Sequence, residues 1–319
     1  MTIDCRRRGF LLGLILLLSL PAMAADEPAS RVLRVGPQHE LKVPSAASRL
    51  AQDGDTVEIE GGVYIGDVAT WPQNRLTLRG VNGRAHLMAA GRAAERKAIW
   101  VIKGKAVTVD NIEFSGTAVA GFAGAGIRSE GVGLTIRNSH FHHNQMGILT
   151  NHNPNGVLII AGSQFNHNVV DYERDGHLGH NIYVGRIARF ELRDTDVYGA
   201  EVGHQVKSRA RRSEIIGNRI RDVGGASSYL IDISEGGEAI IRNNDLLQGA
   251  RAPNRTAIAF APEAKDKSAP GFLVVSHNRF INQGSRGTFV RNHATLEALL
   301  NGNDLSGNVR PLRGPGRVR

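Results

Sequence analysis

Cysteine is almost missing from this chain of 319 residues: the single one, Cys5, lies ahead of the first apolar stretch. Once the N-terminus is trimmed, no thiol remains. That excludes a disulfide framework, a cysteine-ligated zinc and a thiol nucleophile. Aromatic residues make up only 5% of the chain, too few for the stacking platforms that single-strand nucleic-acid binding relies on. No segment has membrane-spanning length. The main apolar run, Phe10 to Leu20, is about half of the roughly 20 residues a spanning helix needs. No leucine pattern with a helix phrase recurs, which excludes leucine-rich repeats, and the repeat units described below are too short for four-stranded propeller blades.

What is present begins with an export signal. Arg6, Arg7 and Arg8 precede the apolar run, Pro21 breaks it, and Ala22-Met23-Ala24 supplies small residues at positions −3 and −1 of a cleavage site. Cleavage after Ala24 or Ala25 is expected, with a periplasmic or secreted product. Arg7-Arg8-Gly9-Phe10-Leu11 is similar to a twin-arginine signal, and the greasy run suits the general secretory route equally, so both routes stay open. The chain carries +9; cleavage removes three arginines and one aspartate and leaves +7. A basic surface favours polyanions, and export with few aromatics selects an acidic polysaccharide as partner over nucleic acid or stable membrane insertion. Arg310, Arg313, Arg317 and Arg319 stand among Gly and Pro at the C-terminus and read as a flexible basic tail. The expected division is 1–24 signal peptide, 25–42 lead-in, 43–307 repeat domain and 308–319 tail.

One phrase recurs: a short β-branched or apolar run, a polar Asn/Asp/Gly turn, then a single large apolar residue. It ends at Phe114, Phe141, Phe165, Val197, Ile220, Leu246, Phe280 and Leu305, at intervals of 27, 24, 32, 23, 26, 34 and 25 residues. A floor near 23 with occasional excess means one structural rung per repeat, with loops inserted in some rungs. One rung cannot bury its own apolar face, so rungs stack about 4.8 Å apart and each backbone group finds partners above and below. Asn138, Asn218 and Asn243 read as structural turns, since such amides pair along a stack.

Before the repeats, Pro44 to Gln52 (PSAASRLAQ) reads as a short helix, followed by DGDTVEIEGGVY and RLTLRGVNG. That succession resembles the N-terminal cap and first rungs of the pectin-lyase-like superfamily. The resemblance spans about Val43 to Gly307. It implies an all-β fold: a single-stranded right-handed parallel β-helix with a short N-terminal capping helix. It does not choose among the lyases, hydrolases, epimerases, esterases and adhesive proteins built on that fold.

A second strand lies between the phrases in each rung: AGIRSE, MGILTN, HNIYVG, HQVKSR, YLIDIS, TAIAFA and GTFVRN. Ile127, Ile148, Ile182, Val206, Ile231, Ile258 and Phe289 are expected to point inward. Strand alternation then sends Arg128, Leu149, Tyr183, Lys207, Asp232, Ala259 and Val290 outward. Tyr183, Lys207 and Asp232 would stack on consecutive rungs, with Arg209 two residues further on. Gly179-His180-Asn181-Ile182 becomes Gly203-His204-Gln205-Val206 one rung later, so His180 should lie over His204, with Tyr229 following. Asn181 and Gln205 are expected to project outward beside them. Two long loops are expected to wall this face: one bears Asp171, Arg174, Asp175 and His177, the other Arg251, Arg255, Lys265 and Lys267. His142, His143 and His152 read as solvated turn residues.

Two readings of the face compete. Lys207 and Asp232 could be a cross-rung ion pair worth under about 1 kcal/mol when exposed, and the stacked histidines could be turn residues bonded to backbone. Alternatively the patch is chemical. Hydrolysis of a glycosidic bond wants two carboxylates, and only Asp232 and Glu235 are in view. β-Elimination of a uronate polymer wants a cation on the carboxylate, a base for the C5 proton and an acid for the leaving oxygen. Lys207 and Arg209 suit the first task and Tyr183 or His204 the second. The catalytic candidates are thus Tyr183, Lys207, Arg209, His204 and Asp232. Those for substrate binding are His180, Asn181, Gln205, Tyr229, Arg128 and Glu235. The arrangement looks like the basic active sites of β-helical polysaccharide lyases and uronate epimerases. The paired aspartates and Gly-His-Gly of the polygalacturonase branch, and the Asp-Pro-His-Asp of periplasmic alginate epimerases, are absent. No metal or other cofactor is expected: calcium-dependent pectate lyases cluster several aspartates, whereas Asp232 stands alone on its strand. A lyase or related uronate-modifying enzyme leads. A non-catalytic glycan-binding or scaffold protein, and a hydrolase or esterase on the same substrates, are the alternatives.

Overall fold

A computed structural model describes residues 1–2, 31–223 and 226–319; the expected signal peptide lies outside the described residues. The described chain winds as a right-handed parallel β-helix. Its strands form one sheet of 20 strands and one of 10 strands, and the named strands pair in parallel from each rung to the next. The expected helix is there, Pro44–Leu50, with proline in its first turn and Pro44 and Ala47 buried. It lies against the first strands and covers the end of the coil. No helix among the described residues is long and apolar enough to cross a membrane.

The recurrent phrase sets the register of the larger sheet. Phe114 pairs with Phe141, Phe141 with Phe165, Phe165 with Val197, and the series continues through Ile220, Leu246 and Phe280 to Leu305. Successive rungs therefore place like on like, and a continuous core runs along the axis. Its N-terminal half holds an aromatic column: Trp71, Trp100, Phe114, Phe141 and Phe165 follow at centroid distances of 5.4, 5.0, 4.9 and 4.6 Å. Edge-to-face and offset contacts of this length are favourable beyond the area they bury.

The corners are held by amide ladders. Asn218, Asn244, Asn278 and Asn303 pass hydrogen bonds from one rung to the next while donating to backbone carbonyls. Each buried amide thus satisfies a turn that the sheet ladders leave unpaired.

Two expectations are corrected. Residues 308–319 are not a flexible tail: Val309–Arg313 pairs with Gly287–Asn292, and Gly316–Val318 with Ala298–Asn301. Val309 and Leu312 pack against the core between the arginines. In the strand Gly287–Asn292 the register is one residue off the expected one, since Ile258 pairs with Val290 and Ala259 with Arg291. Phe289 and Val290 are both fully buried, so hydrophobicity could not choose between them.

Candidate active site

The smaller sheet carries the expected column. Tyr183 pairs with Lys207 and Lys207 with Asp232, on the strands His180–Val184, Val206–Ser208 and Ile231–Ile233. Ile182, Val206 and Ile231 beneath them are fully buried, and this anchors the alternation that turns the polar residues outward. One column position below stand Leu149 and then Arg128.

Lys207 is clamped between two carboxylates. Its Nζ donates to Asp232 Oδ2 at 2.7 Å and to Glu263 Oε1 at 2.6 Å. Burial works against its charge, but Asp232 and Glu263 outweigh it and raise its pKa. The Lys207 side chain is 7% exposed and that of Asp232 1%, so neither is an ordinary solvated pair. Ser234 donates to Asp232 Oδ2 at 2.9 Å.

Arg209 gathers the rest of the site. Its guanidinium reaches Glu235 Oε1 at 2.9 Å and Glu263 Oε2 at 2.6 Å, and its Nε donates to the Tyr183 hydroxyl at 3.1 Å. Arg186 holds the other side of Glu235 at 2.5 and 2.8 Å. The Lys207 ammonium and the Arg209 guanidinium lie 6.0 and 5.7 Å from the Tyr183 ring centroid, within cation–π range. Burial opposes ionisation of Glu235, yet Arg186 and Arg209 hold its carboxyl below the usual range. Glu263 is likewise lowered against burial, by Lys207 and Arg209.

The histidines stack as expected: His180 over His204 at 5.0 Å and His204 over Tyr229 at 5.3 Å. Gly203 makes this possible, because an added Cβ would overlap the Gly179 carbonyl oxygen. Burial pushes His204 down to about 4 and His180 well below its ordinary value. His204 Nε2 stands 3.9 Å from Asp232 Oδ2. The stack therefore backs the Lys207–Asp232 pair from inside.

These groups edge a cleft of about 810 Å³ lined by His152, Tyr183, Arg186, Arg209, Glu235 and Glu263, with Lys265 and Asp266 on its far wall. A shallower extension of about 530 Å³ shares Arg186, Arg209 and Glu235 and runs on past Pro154 and Pro270. Together they make one groove, joined at His152, Arg186, Arg209 and Glu235.

Sequence reasoning placed several residues differently. Asn181 and Gln205 do not project outward: both are fully buried. They extend a corner ladder, Asn144 to Asn168 to Asn181 to Gln205, with Asn181 Nδ2 donating to Gln205 Oε1 at 2.6 Å. Asn181 is the second residue of its strand and Gln205 immediately precedes the next, so both sit where the chain has just turned, and their amides join the ladder instead of following the two-residue period. Arg128 lies outward but is engaged by Asn151 and Glu130. Asp171 and Arg174 are occupied with their own short helix Tyr172–Asp175, and His177 stacks on Phe122 at 4.6 Å. Of the second loop, Lys265 lines the cleft as expected. Glu263, Asp266 and Arg186 were missed. Glu263 reaches Lys207 across 56 residues of chain, and only the length of that loop hinted at such a return.

No protein-family model matches the chain, and no curated protein matches it in sequence. Solved structures do. An alginate lyase from Paenibacillus sp. is 15% identical with a TM-score of 0.60, covering 85% of this chain and 95% of that one. The pectate lyase Pel9A is 14% identical with a TM-score of 0.53, covering 91% and 77%. Escherichia coli YbhC is 12% identical with a TM-score of 0.51, covering 73% and 75%. At these identities the likeness is one of fold.

Proposed function

We propose that the chain is an exported enzyme that binds an acidic polysaccharide along the groove and cleaves it by β-elimination, with Tyr183 as base. The observation that carries this reading is the Arg209 Nε–H donated to the Tyr183 hydroxyl at 3.1 Å, with Lys207 and Arg209 flanking the same ring. A hydrogen-bond donor and two nearby cations place positive charge around the oxygen that takes the proton. In the reaction the Tyr183 oxygen takes the C5 proton of a uronate. The electron pair of that C–H bond becomes the C4–C5 double bond, and the C4–O bond breaks. The departing oxygen takes up a proton, which the newly protonated Tyr183 can return. Arg209 and Lys207 neutralise the uronate carboxylate, which makes the C5 proton acidic. Glu263 bridges both cations in the free protein, so a substrate carboxylate shares or takes over its place. Asp232 is too buried to meet a polymer and positions Lys207. His204 is neutral near neutral pH but closed in between two rings, so it too is a positioning residue.

Hydrolysis fits less well. A glycosidase needs one carboxylic acid whose pKa is raised so that it can donate a proton. The two glutamates in the cleft are both held below their usual range. A glycan-binding scaffold draws support from a different observation: Lys207, Arg186 and Arg209 already have carboxylate partners in the free protein.

Ultraviolet absorbance of unsaturated uronate ends, followed with a panel of uronic-acid polymers, tests the proposal. Wild type should generate the signal, and Tyr183→Phe should lose about 10²–10⁴-fold in kcat with retained binding, the usual worth of a general base. Binding with no ultraviolet product on any polymer would leave the scaffold reading. Solvent-proton exchange at C5 without chain cleavage would point to epimerisation by the same base.

A further inference from the structure

The larger sheet carries a second cluster that the groove does not use. His86, Glu113 and His140 follow one another in one outward column, and Ser115, His142 and Asn166 in the next. The result is a histidine-rich strip on the strands Thr77–Met88, Ile112–Ser115 and His140–His142. Three donors converge within it. His142 Nε2 lies 3.0 Å and His86 Nε2 3.6 Å from Glu113 Oε1, and all three ligand atoms fall within 4.8 Å of one another. Their side chains are 17%, 18% and 23% exposed in the order His142, His86, Glu113. They are shielded, yet reachable from solvent.

We propose that His86, Glu113 and His142 form a binding site for a zinc-like divalent cation. Two imidazoles and one carboxylate are a donor set that zinc takes readily, and three protein ligands leave a fourth position for an exogenous one. With ligand bonds near 2.0–2.1 Å, the edges of a tetrahedral site measure about 3.3 Å. Two of the three separations, 3.0 and 3.6 Å, already lie close to that edge. The third pair, His86 and His142, lies within 4.8 Å, and rotation of the side chains on strands either side of Glu113 closes what remains.

The surroundings supply what a metal-bound imidazole needs. His142 Nδ1 faces His143 Nδ1 at 2.7 Å, so one of the two nitrogens carries the proton between them. Metal-free, His142 keeps its proton on Nε2 for Glu113 and accepts from His143. Metal-bound, it offers the Nε2 lone pair to the cation and donates from Nδ1 to His143, whose own proton sits on Nε2. An outer partner of this kind fixes the tautomer and orients the ligand. Ser115 Oγ lies 2.7 Å from His86 Nε2 and would turn aside to another acceptor when that nitrogen binds metal. The His140 ring lies against that of His142 at 4.4 Å and is itself held by Asn166 at 2.6 Å, which packs His142 in place beside Glu113.

The test uses tag-free protein, because a polyhistidine tag would mask the site. Co²⁺ and Zn²⁺ are titrated into wild type, Glu113→Gln, His142→Gln and, as a control, His277→Gln, an exposed turn histidine on a distant rung. Expected is one equivalent of Co²⁺ with the intense visible bands of a tetrahedral or five-coordinate ion, displaced by Zn²⁺. Glu113→Gln and His142→Gln should each weaken binding by more than the roughly 10–100-fold that loss of an outer partner costs, and His277→Gln should bind as wild type. Far-ultraviolet circular dichroism checks that each variant folds, and Glu113→Gln stands in if His142→Gln does not. Less than one equivalent on wild type, a pale octahedral spectrum, or wild-type affinity in both ligand variants would overturn the proposal.

Discussion

Both sheets hold cations between pairs of carboxylates, and Arg193 and Lys207 show how differently they do it. On the larger sheet Arg193 reaches Glu191 at 3.0 Å and Glu214 at 2.9 Å, with its side chain 35% exposed. On the smaller sheet Lys207 reaches Asp232 at 2.7 Å and Glu263 at 2.6 Å, with its side chain 7% exposed. The lists of partners are alike; the surroundings are not. Arg193 trades water for carboxylate on an open face, where such exchange is nearly even. Lys207 has been taken out of water, together with an aspartate whose Oδ1 finds no hydrogen-bond partner among the described residues. Burial of charge is costly unless it is compensated, so a fold that keeps this pair invests stability in it. That is the physical reason to look for function on the smaller sheet.

The largest expected effect sharpens this contrast. Lys207→Met leaves Asp232 buried with the Ser234 hydroxyl as donor and the neutral His204 ring at 3.9 Å, but no cation in contact. Removing one partner of a buried pair typically costs about 3–5 kcal/mol, read as a fall in the denaturant midpoint at unchanged slope. Lys207→Met combined with Asp232→Leu should recover much of that loss, because neither charge is then stranded. If Lys207→Met unfolds at the wild-type midpoint, the pair is effectively solvated and the contrast between the sheets breaks down.

Next in size is the response to acid. His204 titrates at about 4 in the folded protein, against 6.5 for an unperturbed imidazole. Between those values the unfolded chain binds a proton that the folded chain does not, so stability is full above pH 6.5 and falls as pH drops toward 4. One such group is worth on the order of 3 kcal/mol across the window. Glu235 and Glu263 act lower down. Their depressed folded values contribute stability above the usual carboxylate range that is lost as pH falls through them. His204→Phe keeps the stack and should flatten the slope between pH 6.5 and 4 without abolishing it, since His180 is depressed in the same direction. An unchanged slope would mean that the stack is open to water.

How far these features could be read in advance follows from the geometry of a coil. The phrase ends from Phe114 to Leu305 and the Tyr183–Lys207–Asp232 column were legible because parallel rungs pair residue for residue, and a two-residue period then decides which side chain faces out. That rule fails where the chain bends. Asn181 and Gln205 stand at a corner, and their short amides turn into a ladder that the period does not describe. It also fails where both neighbours are apolar, as at Phe289 and Val290, where the pattern gives no preference. Glu263 was out of reach for another reason: a loop returns to the face through its length and shape, neither of which a period encodes. The His86–Glu113–His142 cluster draws on three rungs, and the pairing of Ser115 with His142 had to be known before its members could meet.

The smallest expected effect is the control that gives the comparison its meaning. Arg193→Met removes the cation from the open face and leaves Glu191 and Glu214, each with a second arginine at hand: Arg189 at 3.2 Å and Arg212 at 2.9 Å. The side chains of Glu191 and Glu214 are only 12% and 14% exposed, but each keeps its own arginine when Arg193 is gone. The loss should therefore stay under about 1 kcal/mol and shrink further in high salt. The Lys207→Met loss should persist in salt, because a buried pair is screened much less. Measuring both variants at low and high ionic strength separates the two cases more sharply than either midpoint alone. A salt-sensitive Lys207 effect would mean that Lys207 is held as Arg193 is, by partners that ions can replace. The clamp would then be surface electrostatics, and the case for a desolvated catalytic face would rest on Tyr183 and Arg209 alone.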